Sequence, residues 1–139
     1  MTRPPFHLRL ISPEEVLFDG PARSLQFPGL DGLVGVLPGH APLVAAIAPG
    51  PLRFTAADGG EKRYFVADGF ARVSAEEVSL VCNAAALEGT IDLARAKRAE
   101  ERARGRIREA KANPEIDLAR AQAALARALA RQRFVERGS

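Results

Sequence analysis

At Gly89-Thr90 the hydrophobic period of the chain changes from two to three-and-four, so that two different polymers are joined there. Before it, Phe6, Leu8 and Leu10 alternate with His7 and Arg9, and Arg23-Ser24-Leu25-Gln26-Phe27 alternates again until Pro28. Leu43 to Ile47, Leu52 to Thr55, Arg63 to Val66, Phe70 to Ser74 and Val78 to Cys82 continue the series, punctuated by Gly and Pro. Alternation of this kind marks strands with one buried face. Asp58-Gly59-Gly60 separates two of the runs and predicts a hairpin, because glycine reaches positive φ without steric cost. Residues 1–88 therefore read as an antiparallel β-sandwich or barrel. A segment of that length can bury roughly 60–65% of the surface its unfolded chain exposes, which is enough for a core.

From Ile91 the apolar positions fall at steps of three and four: Ala96, Ala99, Ala103, Ile107 and Ala110, then Leu118, Ala121, Leu125 and Ala128. Asn113-Pro114 interrupts them, since proline lacks an N–H and restricts the residue before it. Asp92 and Asp117 each precede a helical run and suit N-caps. Residues 91–139 thus read as a hairpin of two antiparallel helices. Composition supports the division. Nine of the 10 prolines and 10 of the 12 glycines precede residue 91, whereas the last 49 residues hold 13 alanines. An alanine seam favours helix but buries little area, at about 0.8 kcal/mol per CH₂. Two readings stay open for such a hairpin: a weakly docked, movable arm, or a permanent appendage.

Charge divides at the same place. Residues 1–90 carry 7 Lys+Arg against 10 Asp+Glu, and residues 91–139 carry 13 against 7. Arg95, Arg98, Arg102 and Arg106 recur along one face of the first helix, and Arg120, Arg127 and Arg131 along one face of the second. Guanidinium groups bind carboxylates and phosphates bidentately and keep their charge. These stripes can be solvated faces, partly paired with Glu100, Glu101 and Glu109 through i,i+4 contacts. They can equally meet an acidic protein, a nucleotide polyphosphate or nucleic acid. Nucleic acid is the weakest fit, because only Phe134 in the hairpin could stack on a base.

Other chemistry has little to stand on. Lys62, Lys97 and Lys111 are the only lysines and none lies in a phosphate-binding loop. The spacing of Gly29, Gly32 and Gly35 is not a dinucleotide fingerprint and suits turns. His7 and His40 lack the partner spacing of a metal site or a nucleophile–base pair. Cys82, the single cysteine, lies in the apolar run Leu80-Val81-Cys82 and reads as an inert core residue. No catalytic residue and no metal site are expected. The chain shows no apolar run of roughly 18 residues and no h-region, so neither a membrane span nor a signal peptide is expected, and the expected location is the cytoplasm.

Three stretches taken together resemble the epsilon subunits of bacterial F-type ATP synthases. Gly32-Leu33-Val34-Gly35-Val36-Leu37-Pro38-Gly39-His40-Ala41-Pro42-Leu43 looks like that family's G-x-x-G-x-L-P-x-H-x-P-L segment. Val66-Ala67-Asp68-Gly69-Phe70 is similar to V-x-G-G-F, with Asp68 in place of a glycine, and Ile91-Asp92-Leu93-Ala94-Arg95-Ala96 matches I/L-D-x-x-R-A. The resemblance covers essentially the whole chain. It implies a β-sandwich of about ten strands that docks on the gamma subunit and the c-ring, with Gly32, Leu33, Pro38, His40 and Pro42 at or near that contact. His40 can also be a turn residue bonded to backbone. It implies a non-catalytic central-stalk rotor component on the cytoplasmic face, joined to the membrane only through the complex. Its helical arm would extend into the alpha/beta catalytic hexamer and impede ATP hydrolysis, with Arg120, Arg127 and Arg131 facing acidic segments of the beta subunit. No cofactor is required on this reading. Asp92, Arg95, Arg127 and Arg131 are the counterparts of a regulatory ATP site, although Ala86 stands where ATP-binding members tend to carry glutamate. The reading from another class is a free-standing adaptor whose basic hairpin binds an acidic protein or nucleic acid.

Overall fold

Alternation becomes pleat in β1 (Phe6–Ile11), where Phe6, Leu8 and Leu10 are buried and His7 and Arg9 are exposed. The computed structural model describes residues 3–137. Six further strands follow: β2 (Val16–Gly29), β3 (Gly32–Val36), β4 (Leu43–Ile47), β5 (Gly50–Ala56), β6 (Glu61–Val73) and β7 (Glu77–Leu87). Two helices complete the order, α1 (Leu93–Ala110) and α2 (Leu118–Arg137). The chain forms two compact units, Met1–Glu88 and Gly89–Ser139.

The seven strands make one sheet that closes on itself. β1 pairs β2, β2 pairs β5, β5 pairs β6, β6 pairs β7 and β7 returns to β1. β6 serves two neighbours in turn, β5 along residues 61–66 and β4 along residues 69–73. β2 likewise passes from β1 to β5 and β3. Long strands shared in this way fold the sheet into a sandwich around one core. Phe6, Leu8, Leu10, Phe27, Leu52 and Leu80 anchor that core and are essentially inaccessible to solvent.

Two expectations need correction. The sandwich has seven strands among the described residues rather than the ten or so that the resemblance implied, because single long strands such as β2 and β6 pair with several neighbours in turn. Arg63 to Val66 and Phe70 to Val73 both lie in β6, with Ser74 just beyond its end, and Arg23 to Phe27 belongs to β2, which runs through Pro28. Pro28 is tolerated because its missing N–H is not needed, while its carbonyl accepts from Ala48 at 2.9 Å. The pairing is also not wholly antiparallel, since β1 lies parallel to β7 from His7↔Glu77 to Ile11↔Val81.

Between the two halves of β6, Asp68 adopts φ +57°, the left-handed region that aspartate tolerates better than most residues. Its neighbour Gly69 must be glycine. A Cβ there would fall 1.9 Å from the Val81 carbonyl oxygen, so β6 and β7 approach too closely for any side chain. The predicted Asp58-Gly59-Gly60 hairpin joins β5 to β6, with Gly59 at φ +93° and the Asp58 carboxylate accepting from Gly60 N–H at 2.8 Å.

In the hairpin, Asp92 caps α1 by accepting from Ala94 and Arg95 N–H at 3.0 and 3.3 Å. Asp117 accepts from Arg120 N–H at 3.0 Å and caps α2. The intervening turn is held by Asn113, whose side-chain oxygen accepts from Glu115 N–H at 3.0 Å. The seam is alanine-rich as expected: Ala96, Ala103, Ala121 and Ala128 are buried. Leu118 is not part of it and stays 45% exposed.

Candidate partner-binding surfaces

Gln132 fixes the register of the hairpin. Its side-chain amide donates to the Glu100 carboxylate at 2.8 Å and contacts the Ala96 carbonyl at 3.5 Å. Glu100 also accepts from Arg104 Nε at 2.8 Å, one turn away on α1. The Gln132 amide first, and the Arg104 guanidinium second, hold the Glu100 carboxyl below its ordinary range. Residue 132 therefore lies beside residues 96–100, so Arg131 sits at the same end of the hairpin as Arg95 and Asp92. Arg127 follows one turn along α2, and Arg120 lies at the far end beside the turn.

This arrangement sorts the arginines. Arg95, Arg98, Arg102, Arg106 and Arg120 are exposed, with no ion pair among the described residues. Of the three glutamates considered as i,i+4 partners, Glu100 is the one that pairs, and it pairs with Arg104, outside the stripe. Arg127 and Arg131 are half-buried and engaged in contacts of their own. One oxygen of Asp92 is already committed to its capping bonds. Phe134, the aromatic considered for base stacking, is buried.

A second surface lies on the loop from β2 to β4. Gly32 turns the β2–β3 hairpin at φ +130° and Gly39 turns the following loop at φ +84°. Leu30, Leu33 and Leu37 are 73%, 59% and 65% exposed, an unusual density of bare leucine for one loop region. Pro42 is exposed and Pro38 half-buried. His40 hydrogen-bonds through Nδ1 to the Ala41 carbonyl at 2.6 Å, and its backbone N–H donates to the Leu37 carbonyl at 3.1 Å. The ring thus braces its own turn, while Gly39 N–H ties the loop to the Ala75 carbonyl at 3.2 Å.

Sequence reading did not single out a third surface, the outer face of β4, β6 and β7. Val44, Phe70 and Val81 are exposed there, and Phe70 faces Ala46 on one side and Val81 on the other. The signal was present in Leu43-Val44-Ala45-Ala46-Ile47 and Leu80-Val81-Cys82. Strands that are apolar on both faces have two faces to cover.

No helix is long and apolar enough to cross a membrane, and no cluster of metal-ligating side chains occurs, among the described residues. The Cys82 thiol is buried and pushed up to about 12, which removes it from nucleophilic chemistry at neutral pH.

Comparison with known proteins accounts for both units. The family model described as the beta-sandwich domain of the ATP synthase delta/epsilon chain matches residues 5–88, and that of its long alpha-helix domain matches residues 90–136. The chain belongs to the ATP synthase delta/epsilon family. An ATP synthase epsilon chain from Symbiobacterium thermophilum is 45% identical over 127 residues, covering 91% of this chain and 89% of that one. The ATP synthase epsilon chain of Bordetella avium is 38% identical over 129 residues, covering 91% and 92%. A chain in the cryo-EM structure of the Euglena gracilis mitochondrial ATP synthase OSCP/F1/c-ring assembly shares the fold, with a TM-score of 0.77 and 24% identity. It is matched over 93% of this chain and 80% of its own length. The delta/epsilon assignment leaves the free-standing adaptor without support.

Proposed function

We propose that this delta/epsilon chain is a non-catalytic rotor component of a proton-translocating ATP synthase, held at the cytoplasmic face of the membrane through the assembly. Its sandwich docks on the gamma subunit and the c-ring, so that ring rotation reaches the alpha/beta catalytic hexamer. The observation that carries this reading is the match of both units, sandwich and hairpin, to one family along nearly the whole chain. The loop bearing Gly32, Leu33, Pro38, His40 and Pro42 serves at the foot of the stalk. Its bare leucines support that role, since burial against a partner recovers about 25 cal/mol per Å² of apolar surface.

The hairpin acts as a regulatory arm. In its extended state Arg120, Arg127 and Arg131 meet acidic segments of the beta subunit through charge-assisted hydrogen bonds and impede hydrolysis. Regulatory ATP is taken up by Asp92, Arg95, Arg127 and Arg131. The grouping of Asp92, Arg95 and Arg131 at one end of the hairpin supports the reading, as guanidinium groups suit phosphate oxygens.

Assembly with gamma and the hexamer tests the whole. The intact chain is expected to co-purify with gamma and to lower ATP hydrolysis, and a chain ending at residue 88 to co-purify equally while releasing hydrolysis severalfold. Failure of the intact chain to associate with gamma would overturn the rotor role. Titration calorimetry of the isolated chain with magnesium and ATP should give heat that Arg95→Gln abolishes. Absence of heat at millimolar ATP would remove the nucleotide site.

A further inference from the structure

The outer face of β4, β6, β7 and β1 carries two adjacent rows of side chains, fixed by strand register. One row is Ala46, Phe70, Val81 and Ile11. The other is Val44, Arg72, Ser79 and Arg9, continued by Asp19 on β2. Phe70 and Val44 are 66% and 70% exposed, so an apolar stripe lies bare beside two guanidinium groups. Arg72 and Arg9 flank Ser79 from the strands on either side, and their backbones are about 10 Å apart at ordinary strand spacing. A groove of about 570 Å³ opens over Arg9, Arg72 and Ser79, with His7, Ser74 and Glu77 around it.

The charges in the groove are unevenly satisfied. Arg9 Nε stands 3.7 Å from Asp19, and the same carboxylate binds His7. The Arg72 guanidinium makes no hydrogen bond or ion pair among the described residues, while its backbone is held in the sheet between Val44 and Ser79. A negatively charged group above Ser79 could therefore take two guanidinium forks and a hydroxyl at once.

We propose that Arg9, Ser79 and Arg72 form a clamp for a carboxylate side chain of the stalk partner, seated beside the apolar row of Phe70 and Val81. The inference rests on the proposed docking of the sandwich on gamma and adds the chemistry that orients it. Apolar burial at Phe70 and Val81 holds the partner, and the excluded water strengthens the charged contact at its edge. An aromatic and an arginine side by side are the residue types that dominate interface energetics. A protein carboxylate fits better than a free anion, because a free anion would leave the apolar row uncovered.

The test is binding of the full chain to purified gamma at low and high salt, with thermal melts to confirm that each variant is folded. Arg9→Gln with Arg72→Gln is expected to weaken binding by about tenfold or more and to flatten its salt dependence. Phe70→Asp is expected to weaken binding by a comparable factor. Arg53→Gln, on a different part of the sheet, should change neither. If Phe70→Asp abolishes binding while the double arginine variant keeps wild-type affinity and salt slope, the clamp is refuted and docking on this face stands. If neither alters binding, both the clamp and docking on this face are refuted. Arg-dependent binding of inorganic phosphate to the isolated chain, with gamma affinity unaffected by the variants, would assign the groove to a free anion and overturn the proposal.

Discussion

Gly69 shows how a single residue can decide a sandwich. A methyl group there would meet the Val81 carbonyl oxygen at 1.9 Å, and this obstacle is backbone, which cannot rotate away. Gly69→Ala is therefore expected to destabilise the sandwich by about 1–3 kcal/mol or more through forced strand separation. A denaturant melt of the variant against the parent chain measures it. Cys82 makes a second case. Burial pushes its thiol up to about 12, so alkylation at neutral pH should proceed only as fast as the sandwich opens. Reaction at the rate of a free thiol in the folded chain would show that the site is accessible. The sequence already pointed to an inert Cys82 through its apolar neighbours. Only the structure shows why Gly69 is obligatory, because a close approach of two backbones leaves no compositional trace.

At the scale of elements, the hairpin joins high helix propensity to a thin seam. Gly105 lies inside α1, where a Cβ would meet nothing nearer than Arg108 Nη2 at 3.8 Å. Gly105→Ala should raise the thermal stability of the helical unit, by about 0.5–1 kcal/mol. Gln132 and Glu100 supply a polar contact between the helices in a hairpin whose buried residues are alanines and Phe134. Glu100 has a lowered pKa in the folded chain, so its contribution is fully present above the ordinary carboxylate range and is lost as pH falls through the depressed folded value. Acid unfolding followed by circular dichroism should shift less with pH in Glu100→Gln than in the parent. An identical pH dependence would remove Glu100 from the account. Asp92 and Asp117 were legible as caps because capping is local chemistry, and both cap as read. Strand number was not legible. Whether two apolar runs are one bent strand or two depends on a positive φ at Asp68 and on tertiary pairing, neither of which local pattern encodes.

Across the whole molecule, the break at Gly89-Thr90 separates two units with different physics. The sandwich owes its stability to long-range burial of phenylalanine, leucine and valine around one core. The hairpin relies on propensity, two caps and a modest seam. Such a division suits the proposed role, in which the sandwich stays anchored while the arm moves. The family motifs at Gly32–Leu43 and Ile91–Ala96 made the architecture readable from sequence. The exposed face around Phe70 was not, since outward-facing apolar residues acquire meaning only once strand register places them together.

In the proposed mechanism, guanidinium attraction at Arg120, Arg127 and Arg131 drives the arm into its inhibitory state. The direct measurement is ATP hydrolysis by the assembled enzyme across ionic strength, with the parent chain and with all three arginines changed to Gln. Inhibition that weakens with salt is expected in the parent, and faster, nearly salt-independent hydrolysis in the variant. Equal rates with the same salt dependence in both enzymes would contradict it.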